Sequence, residues 1–182
     1  SILEHIVCPT CRSDFKLLTK SKLKNEIKEG TLICIKCSNK FKITNGIPRF
    51  VVDITKDFVR TEMAFSAKWK NHHRNHHAKD WVNWQKNWFL ERFGWKSIKQ
   101  FNIFLRSQNF ILDAGTGIGN SAKMLSINKS STIFALDASD SIDFAYEKYG
   151  KSSNIHFIQA DIRRLPFRKT FFDYIFSDQV LH

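Results

Sequence analysis

Four cysteines, the side chains best suited to binding a metal, lie in the first 37 residues as two Cys-x-x-Cys pairs. The pairs read CPTC, with Cys8 and Cys11, and CIKC, with Cys34 and Cys37. Two such pairs can offer four thiolates to one ion, and Zn²⁺ prefers four sulfur ligands in a tetrahedron. Two disulfides are the alternative, but each would close a very short ring, and the opening residues lack the apolar stretch of a secretory signal. The spacing therefore predicts a structural Zn²⁺ site with no open position for a catalytic water.

A second group of residues suited to chemistry surrounds a glycine loop in NFILDAGTGIGNSAKML, residues 109–125. The segment has the order of a nucleotide-binding unit, an apolar strand, a glycine loop and a helix. The glycines are Gly115, Gly117 and Gly119, whereas a dinucleotide fingerprint needs its third glycine one position later. Asp113 at the strand end would repel a pyrophosphate but would attract a ligand with an ammonium and a sulfonium group. These features favour S-adenosylmethionine as the ligand.

Two further carboxylates follow predicted strands. STIFALDASDSIDFA ends its strand at Asp137 and continues into a helix capped by Ser139 or Asp140, and NIHFIQADIRRLPF ends its strand at Asp161. Asp137 is placed to accept both ribose hydroxyls, and Asp161 to accept from the adenine amino group while Ile162 covers the ring. One such acid is more often a helix cap or a solvated turn. Three at successive strand ends after a glycine loop predict one cofactor site.

The front of the chain resembles the Trm112-like zinc ribbon, in which CPxC, CxxC and a closing GIP recur together. The resemblance covers residues 4 to 50, where TLICIKC and KFKITNGIPRF are typical of short strands with a turn at Asn45-Gly46. Arg12 and Ser38 follow the two cysteine pairs where glycine is usual. Members of that family lie beside methyltransferases or are fused to them, so the resemblance implies a methyltransferase further along the chain.

Residues 108–182 resemble the first half of a class I S-adenosylmethionine-dependent methyltransferase, of the kind with DxGxGxG and ADxxxLPF motifs. In such relatives LHH follows the fourth strand, so His182 would be the first histidine of that pair and is a weak catalytic candidate. The resemblance also implies a set of cofactor-binding residues, which are Asp113, Gly115, Gly117, Asp137, Ala138, Asp161, Ile162 and Ser177.

The predicted fold class is α/β, a Rossmann-like methyltransferase domain preceded by a small zinc ribbon. We expect a zinc ribbon at residues 1–50, a helical, Trp-rich connecting or lid segment at 51–107, and the N-terminal half of the cofactor-binding domain at 108–182. The family orders its strands 3-2-1-4-5-7-6, and the last predicted strand here is in FFDYIFSDQVLH. We therefore expect a half-sheet of order 3-2-1-4, a chain truncated after strand four, and an unpaired edge open to self-association.

The middle segment, residues 51–107, is unusually rich in histidine and tryptophan. In NHHRNHH the histidines from His72 to His77 are spaced so that two pairs could bind a metal on a helix. No carboxylate is placed to orient them, so a solvated helix or loop is favoured. Trp81, Trp84 and Trp88 fall on one helical face, as expected for core packing. A segment like FSAKWK helps to close the cofactor cleft in ribbon-fronted methyltransferases, so Trp69 is either a lid or a core residue.

Basic residues are concentrated before the glycine loop. Residues 1–50 carry ten Lys or Arg against four Asp or Glu, residues 51–107 carry eleven against five, and residues 108–182 carry eight of each. A basic front fits RNA phosphates, but the abundance of Lys, Asn, Ile and Phe also fits the base composition of an A/T-rich genome. The charge pattern alone does not distinguish a functional basic surface from an effect of genome composition.

The sequence supports three hypotheses of function. The first is a methyltransferase acting on an O, N or C nucleophile of a small molecule or glycan precursor, because the nearest resemblance is to such bacterial enzymes. The second is an RNA methyltransferase that holds phosphates with its basic ribbon. The third is a non-catalytic module that docks through the ribbon or the open fourth strand. No run of eighteen apolar residues exists, so no membrane span is expected, and unpaired thiols predict a cytoplasmic location.

Overall fold

The computed structural model describes residues 2–23, 26–51 and 79–180, and the side chains of the last range from residue 86 onward. Trp69, the histidine cluster from His72 to His77, and His182 lie outside these residues, as do the side chains of Trp81 and Trp84. The predictions made for them therefore stay predictions.

The N-terminal part is an antiparallel sheet in the order β1-β2-β3-β4. Its strands are β1 (Phe15–Leu23), β2 (Glu26–Cys34), β3 (Lys40–Thr44) and β4 (Ile47–Pro48). Alternate residues face opposite sides of a strand, and Leu32 and Phe41, which are register partners, are both buried. On the other side, Lys16, Ile33 and Lys40 form one cross-strand row whose lysines are exposed. We call this unit, residues 2–51, the ribbon.

The C-terminal part is a parallel sheet in the order β7-β6-β5-β8. Its strands are β5 (Phe110–Ala114), β6 (Thr132–Asp137), β7 (Ile155–Gln159) and β8 (Tyr174–Phe176). Counted from the first strand of this sheet, the order is 3-2-1-4, so the predicted topology is confirmed. All three strand pairings are parallel, and the polypeptide returns between successive strands through helices or loops, as parallel pairing requires.

Four α-helices within residues 79–180 accompany this sheet: α1 (Lys79–Arg92), α2 (Ile98–Leu105), α3 (Asn120–Leu125) and α4 (Ser141–Tyr149). Ser97 begins α2 because its side chain accepts from the Gln100 N–H at 3.1 Å. Trp95 stacks against Phe101 of the same helix, with ring centroids 5.1 Å apart. None of the helices in the described ranges is long and apolar enough to cross a membrane.

The two faces of the parallel sheet are covered by different parts of the chain. On one face, Ile111, Ile133 and Phe157 belong to a buried cluster with residues of the helices, among them Phe101, and with Ile47 of the ribbon. On the other face, side chains of β5, β6 and β7 belong to a cluster with residues of the ribbon. The members of that second cluster that carry the contact are Leu112, Phe134 and Ile158 from the sheet, and Ile6, Leu32 and Phe41 from the ribbon.

Backbone hydrogen bonds join the ribbon to the sheet at two places. Ile6 forms an antiparallel bridge with Phe167, and the Val7 N–H donates to the Pro166 carbonyl at 2.9 Å. At the second place Arg49 forms a parallel bridge with Gln159. The ribbon therefore occupies one face of the sheet as a packing layer.

Candidate functional site

The glycine loop folds over the end of β6. The N–H groups of Gly115 and Thr116 both donate to the Leu136 carbonyl, at 2.8 and 2.9 Å. The Gly117 N–H donates to Asp137 Oδ2 at 2.7 Å. The carboxyl ends of two neighbouring parallel strands thus meet, which is where ligands bind in sheets of this type.

Gly115 is the position in this loop where only glycine fits. Its φ is +84°, and a Cβ there would lie 2.2 Å from Val180 Cγ2. The Thr116 hydroxyl is buried beside the Asp113 carboxyl and helps to hold down its pKa. The loop is thus packed closely against Val180 on one side and against Asp113 on the other.

Asp113 lies at the base of this loop with 1% of its surface exposed. Burial raises the pKa of its carboxyl to about 6, and the neighbouring charge of Asp137 acts in the same direction. The Ser121 hydroxyl, which donates to Asp113 Oδ2 at 2.7 Å, opposes part of that rise. A buried carboxylate with a raised pKa is an environment that a cationic ligand would stabilise.

The carboxylate of Asp137 is held by three donors. Oδ1 accepts from the Ser139 N–H at 2.9 Å and from the Ser139 hydroxyl at 2.6 Å, while Oδ2 accepts from Gly117. A carboxylate offers about four lone-pair positions, so Oδ2 keeps one for a further donor such as a ribose hydroxyl. Ser139 Oγ also accepts from the Ser141 N–H at 3.3 Å at the start of α4, whereas Asp140 makes no side-chain cap.

Asp161 and Ile162 follow β7 as predicted, but both make contacts within the protein. Both oxygens of Asp161 accept from the Arg163 guanidinium, and Oδ1 also accepts from the Arg163 N–H at 2.8 Å. These hydrogen bonds lower the pKa of Asp161. Ile162 is half-buried and packs against the cluster between sheet and ribbon. The adenine-binding role assigned to this pair stays a prediction.

The last two predicted cofactor residues follow β8 and β6, the two strands that flank β5. The Ser177 hydroxyl donates to the Ala114 carbonyl at 3.0 Å, which ties the end of β8 to the end of β5. The Ala138 carbonyl accepts from Gln159 Nε2 at 3.1 Å. Sequence reasoning did not identify Gln159, because a glutamine before Asp161 in a strand carries no motif of its own.

The four cysteines come together in the ribbon, as predicted. Their sulfur atoms all lie within 4.8 Å of one another. Cys11 and Cys34 Sγ are 3.3 Å apart, and Cys8 and Cys37 Sγ are 3.6 Å apart, too far for disulfide bonds. A Zn–S bond of ~2.3 Å places tetrahedral sulfurs ~3.8 Å apart, so this donor set fits Zn²⁺.

The backbone around the cysteines prepares them for a metal. Arg12 and Ser38, the residues after each pair, have φ of 65° and 61°, the left-handed conformation that glycine usually supplies there. Burial would raise the pKa of the Cys34 thiol, but the N–H groups of Cys37 and Lys36 lower it to about 6, whereas burial and the neighbouring thiols raise the pKa of Cys37 to about 12. Thiolate is the form that a metal ligand requires.

Two family models match this chain, one at each end. Residues 112–182 match the methyltransferase domain family, and residues 1–46 match the Trm112p-like proteins. The architecture is thus a Rossmann-like methyltransferase fold with a zinc ribbon packed on one face of its sheet.

Solved structures with similar folds include a methyltransferase dependent on S-adenosylmethionine from Aquifex aeolicus, at 22% identity and TM-score 0.38, covering 44% of this chain and 47% of that one. A complex of the Haloferax volcanii Trm112 methyltransferase activator with a putative methyltransferase matches at 24% identity and TM-score 0.36. The match covers 54% of this chain and 45% of that one. Human N-acetylserotonin methyltransferase matches at 17% identity and TM-score 0.36, and the match covers 70% of this chain and 43% of that one. This chain therefore spans less than half the length of each of these relatives. No curated protein sequence matches it.

Proposed function

We propose that this chain binds S-adenosylmethionine at the carboxyl ends of β5, β6 and β7 and acts as a methyltransferase. The observation that carries the proposal is the hydrogen bond of 2.7 Å from the Gly117 N–H to Asp137. It joins the glycine loop and the second strand's carboxylate into one polar cradle, with the buried Asp113 behind it. Both groups match the parts of this cofactor, a cationic methionine end and a ribose with two hydroxyls.

S-adenosylmethionine supplies a methyl group on a sulfonium, which a nucleophile attacks in line while S-adenosylhomocysteine leaves. The residues of this chain bind and orient rather than activate. Asp113 would hold the cationic end, Asp137 the ribose, and Gly115 would allow the backbone close to the ligand. Alignment and exclusion of water of this kind supply up to about 7–11 kcal/mol of a reaction barrier.

For the acceptor we favour the O, N or C nucleophile of a small molecule or glycan precursor. Residues 108–182, which contain the proposed cofactor site, carry eight basic and eight acidic residues, so this part offers no excess charge for a polyanion. The unpaired cysteines also support a reducing, cytoplasmic location.

RNA is the second candidate acceptor, and one surface favours it. Lys16, Lys40 and Lys42 are exposed on the ribbon face that points away from the buried Leu32 and Phe41. Phosphate contacts by such lysines would make RNA affinity fall steeply as salt is raised. A salt-independent affinity, or none, would remove this candidate.

Self-association through β8 is a further proposal. Among the described strands β8 pairs only with β5, and Ile175 in it is 57% exposed. An unpaired apolar edge invites pairing with a second copy or with another protein, which would also serve a non-catalytic module. A monomer at every concentration in analytical ultracentrifugation would end this proposal.

The cofactor proposal is tested by calorimetric titration of S-adenosylmethionine into the zinc-loaded chain and two variants. Asp137→Ala should weaken binding at least ~10-fold, since hydrogen bonds to a charged group contribute about 1.5–3 kcal/mol each. Asp14→Ala is the matched control, because Asp14 pairs with Arg168 on the surface, away from the glycine loop. Unchanged affinity in Asp137→Ala would show that the ribose assignment is wrong.

A further inference from the structure

Arg49 of the ribbon is linked through Gln159 to the loop that follows β6, residues 138–140. We propose that Arg49 is a positioning residue for this loop and so for the ribose subsite. The inference rests on the proposed function, because it assigns Asp137 to the ribose. Arg49 itself touches neither the glycine loop nor Asp137, so it would act through Gln159.

The Arg49 guanidinium is held in a fixed place. Nη2 lies 2.6 Å from Asp143 Oδ1, and Nη1 donates to Asp143 Oδ2 at 3.0 Å, which makes a two-pronged ion pair with α4. The side chain is only 18% exposed. Paired hydrogen bonds of this type fix orientation as well as supplying energy.

The same guanidinium fixes the side-chain amide of Gln159. Arg49 Nη1 donates to Gln159 Oε1 at 3.0 Å. Because a guanidinium can only donate, the amide must turn its oxygen towards Arg49 and its NH₂ group the other way. That NH₂ group donates to the Ala138 carbonyl at 3.1 Å and to Asp140 Oδ1 at 3.3 Å.

The hydrogen bond from Gln159 to Ala138 is connected to the carboxylate of Asp137 through a single rigid peptide group. The Ala138 carbonyl and the Ser139 N–H belong to one planar peptide group. Gln159 holds the carbonyl side of that plane, and the N–H side donates to Asp137 Oδ1 at 2.9 Å. Rotation of this plane would therefore withdraw a donor from Asp137 and change the direction of its carboxylate.

Three variants separate positioning from simple docking of the ribbon. Arg49→Met removes every hydrogen bond of the guanidinium. Gln159→Met keeps the ion pair between Arg49 and Asp143 but removes the amide that holds Ala138. Arg168→Met is the control, because Arg168 also joins the sheet domain to the ribbon, through Asp14 at 2.5 Å, without a hydrogen bond to the loop.

The first readout needs no ligand. Hydrogen exchange of the Ser139 amide should be about 10-fold faster in Arg49→Met and in Gln159→Met, the effect of one lost hydrogen bond. Exchange at Leu136, inside β6, and exchange throughout Arg168→Met should be unchanged. An unchanged Ser139 rate in both methionine variants would overturn the proposal.

The second readout is the affinity for S-adenosylhomocysteine and for its 2′-deoxyribose analogue. Wild type should prefer the ribose form, and the two methionine variants should lose ~10-fold in affinity for it and most of the preference. Arg49→Lys, which keeps the charge beside Asp143, should recover part of both. Equal losses for the two ligands would assign Arg49 a structural role only.

The two readouts separate this inference from the proposed function. A wild-type chain that binds neither ligand would contradict the cofactor proposal, and the Ser139 exchange rates would still decide whether Arg49 orders the loop.

Discussion

The two faces of the parallel sheet are equally well buried but are covered in different ways. Phe101 against one face and Phe134 on the other are both fully buried. The first face is covered mainly by helices, two that precede the sheet and two that alternate with its strands. The second is covered by the ribbon, more than 50 residues earlier in the chain, whose cysteines form a metal site. Ile47 of the ribbon also belongs to the cluster on the first face, so loss of the metal should loosen the second face more than the first.

The largest effect should come from removing zinc. A chelator should unfold the ribbon, because metal binding contributes on the order of 10 kcal/mol to the folding of such small units. Calorimetric melting should then show a large loss of thermal stability that added Zn²⁺ restores. The same melting temperature with and without chelator would mean that the ribbon folds on its hydrophobic core alone.

Phenylalanine truncations compare the two faces directly. Phe134→Ala and Phe101→Ala should each cost about 3–5 kcal/mol in the zinc-loaded protein, since both remove a buried ring. In the zinc-free protein the cost of Phe134→Ala should fall markedly, because its ribbon neighbours are lost, while that of Phe101→Ala should persist. Urea unfolding measures both, and a parallel fall of the two costs would contradict the proposed difference between the faces.

The buried Asp113 lies on the helix-covered side of the sheet, where Ser121 of α3 contacts it. Its folded-state pKa of about 6 lies above the unfolded value, so the neutral form favours folding, and this contribution is lost as pH rises through 6. A cationic ligand prefers the ionised form. Affinity for S-adenosylmethionine should therefore rise about 10-fold between pH 5 and 7.

Calorimetric titration across this pH range measures that rise. Asp113→Asn, which cannot ionise, is the control and should bind weakly with a flat profile. S-adenosylhomocysteine, which lacks the sulfonium charge, should show a smaller slope with wild type. Equal slopes for wild type and Asp113→Asn would assign the titration to another group.

The smallest effect should come from Arg168→Met at the edge of the ribbon contact. Arg168 and Asp14 are 54% and 60% exposed, and exposed ion pairs contribute about 0–1 kcal/mol. The change should be detectable at low salt and absent at high salt. A loss of several kcal/mol, measured by urea unfolding, would show that the ribbon is held by its charged rim and not by its apolar contacts.

The sequence predicted the parts of this protein that local pattern determines. Four cysteines in two short motifs predicted one cluster, and a glycine loop with acids after successive strands predicted one site. The strand order came from the resemblance to the methyltransferase family. Asp113, Gly117 and Asp137 do lie together, since parallel strands end at the same edge.

What the sequence did not predict are contacts between distant residues. Arg49 and Asp143 are 94 positions apart, and neither belongs to a motif. The ribbon-facing side chains of β5 and β6 had the pattern of any buried strand, which does not identify what covers them. Asp161 looked free to bind a ligand, but the exposed Arg163 two residues later pairs with it.

Because the ribbon and the sheet belong to one polypeptide, their docking is an intramolecular event. Tethered modules meet at effective concentrations in the millimolar range, about a thousandfold above those of typical separate proteins in a cell. The contact at Ile6 and Arg49 can therefore be far weaker than an interface between two free subunits and still remain closed. It follows that ribbon and sheet are always present in a ratio of one to one, whatever the abundance of other proteins.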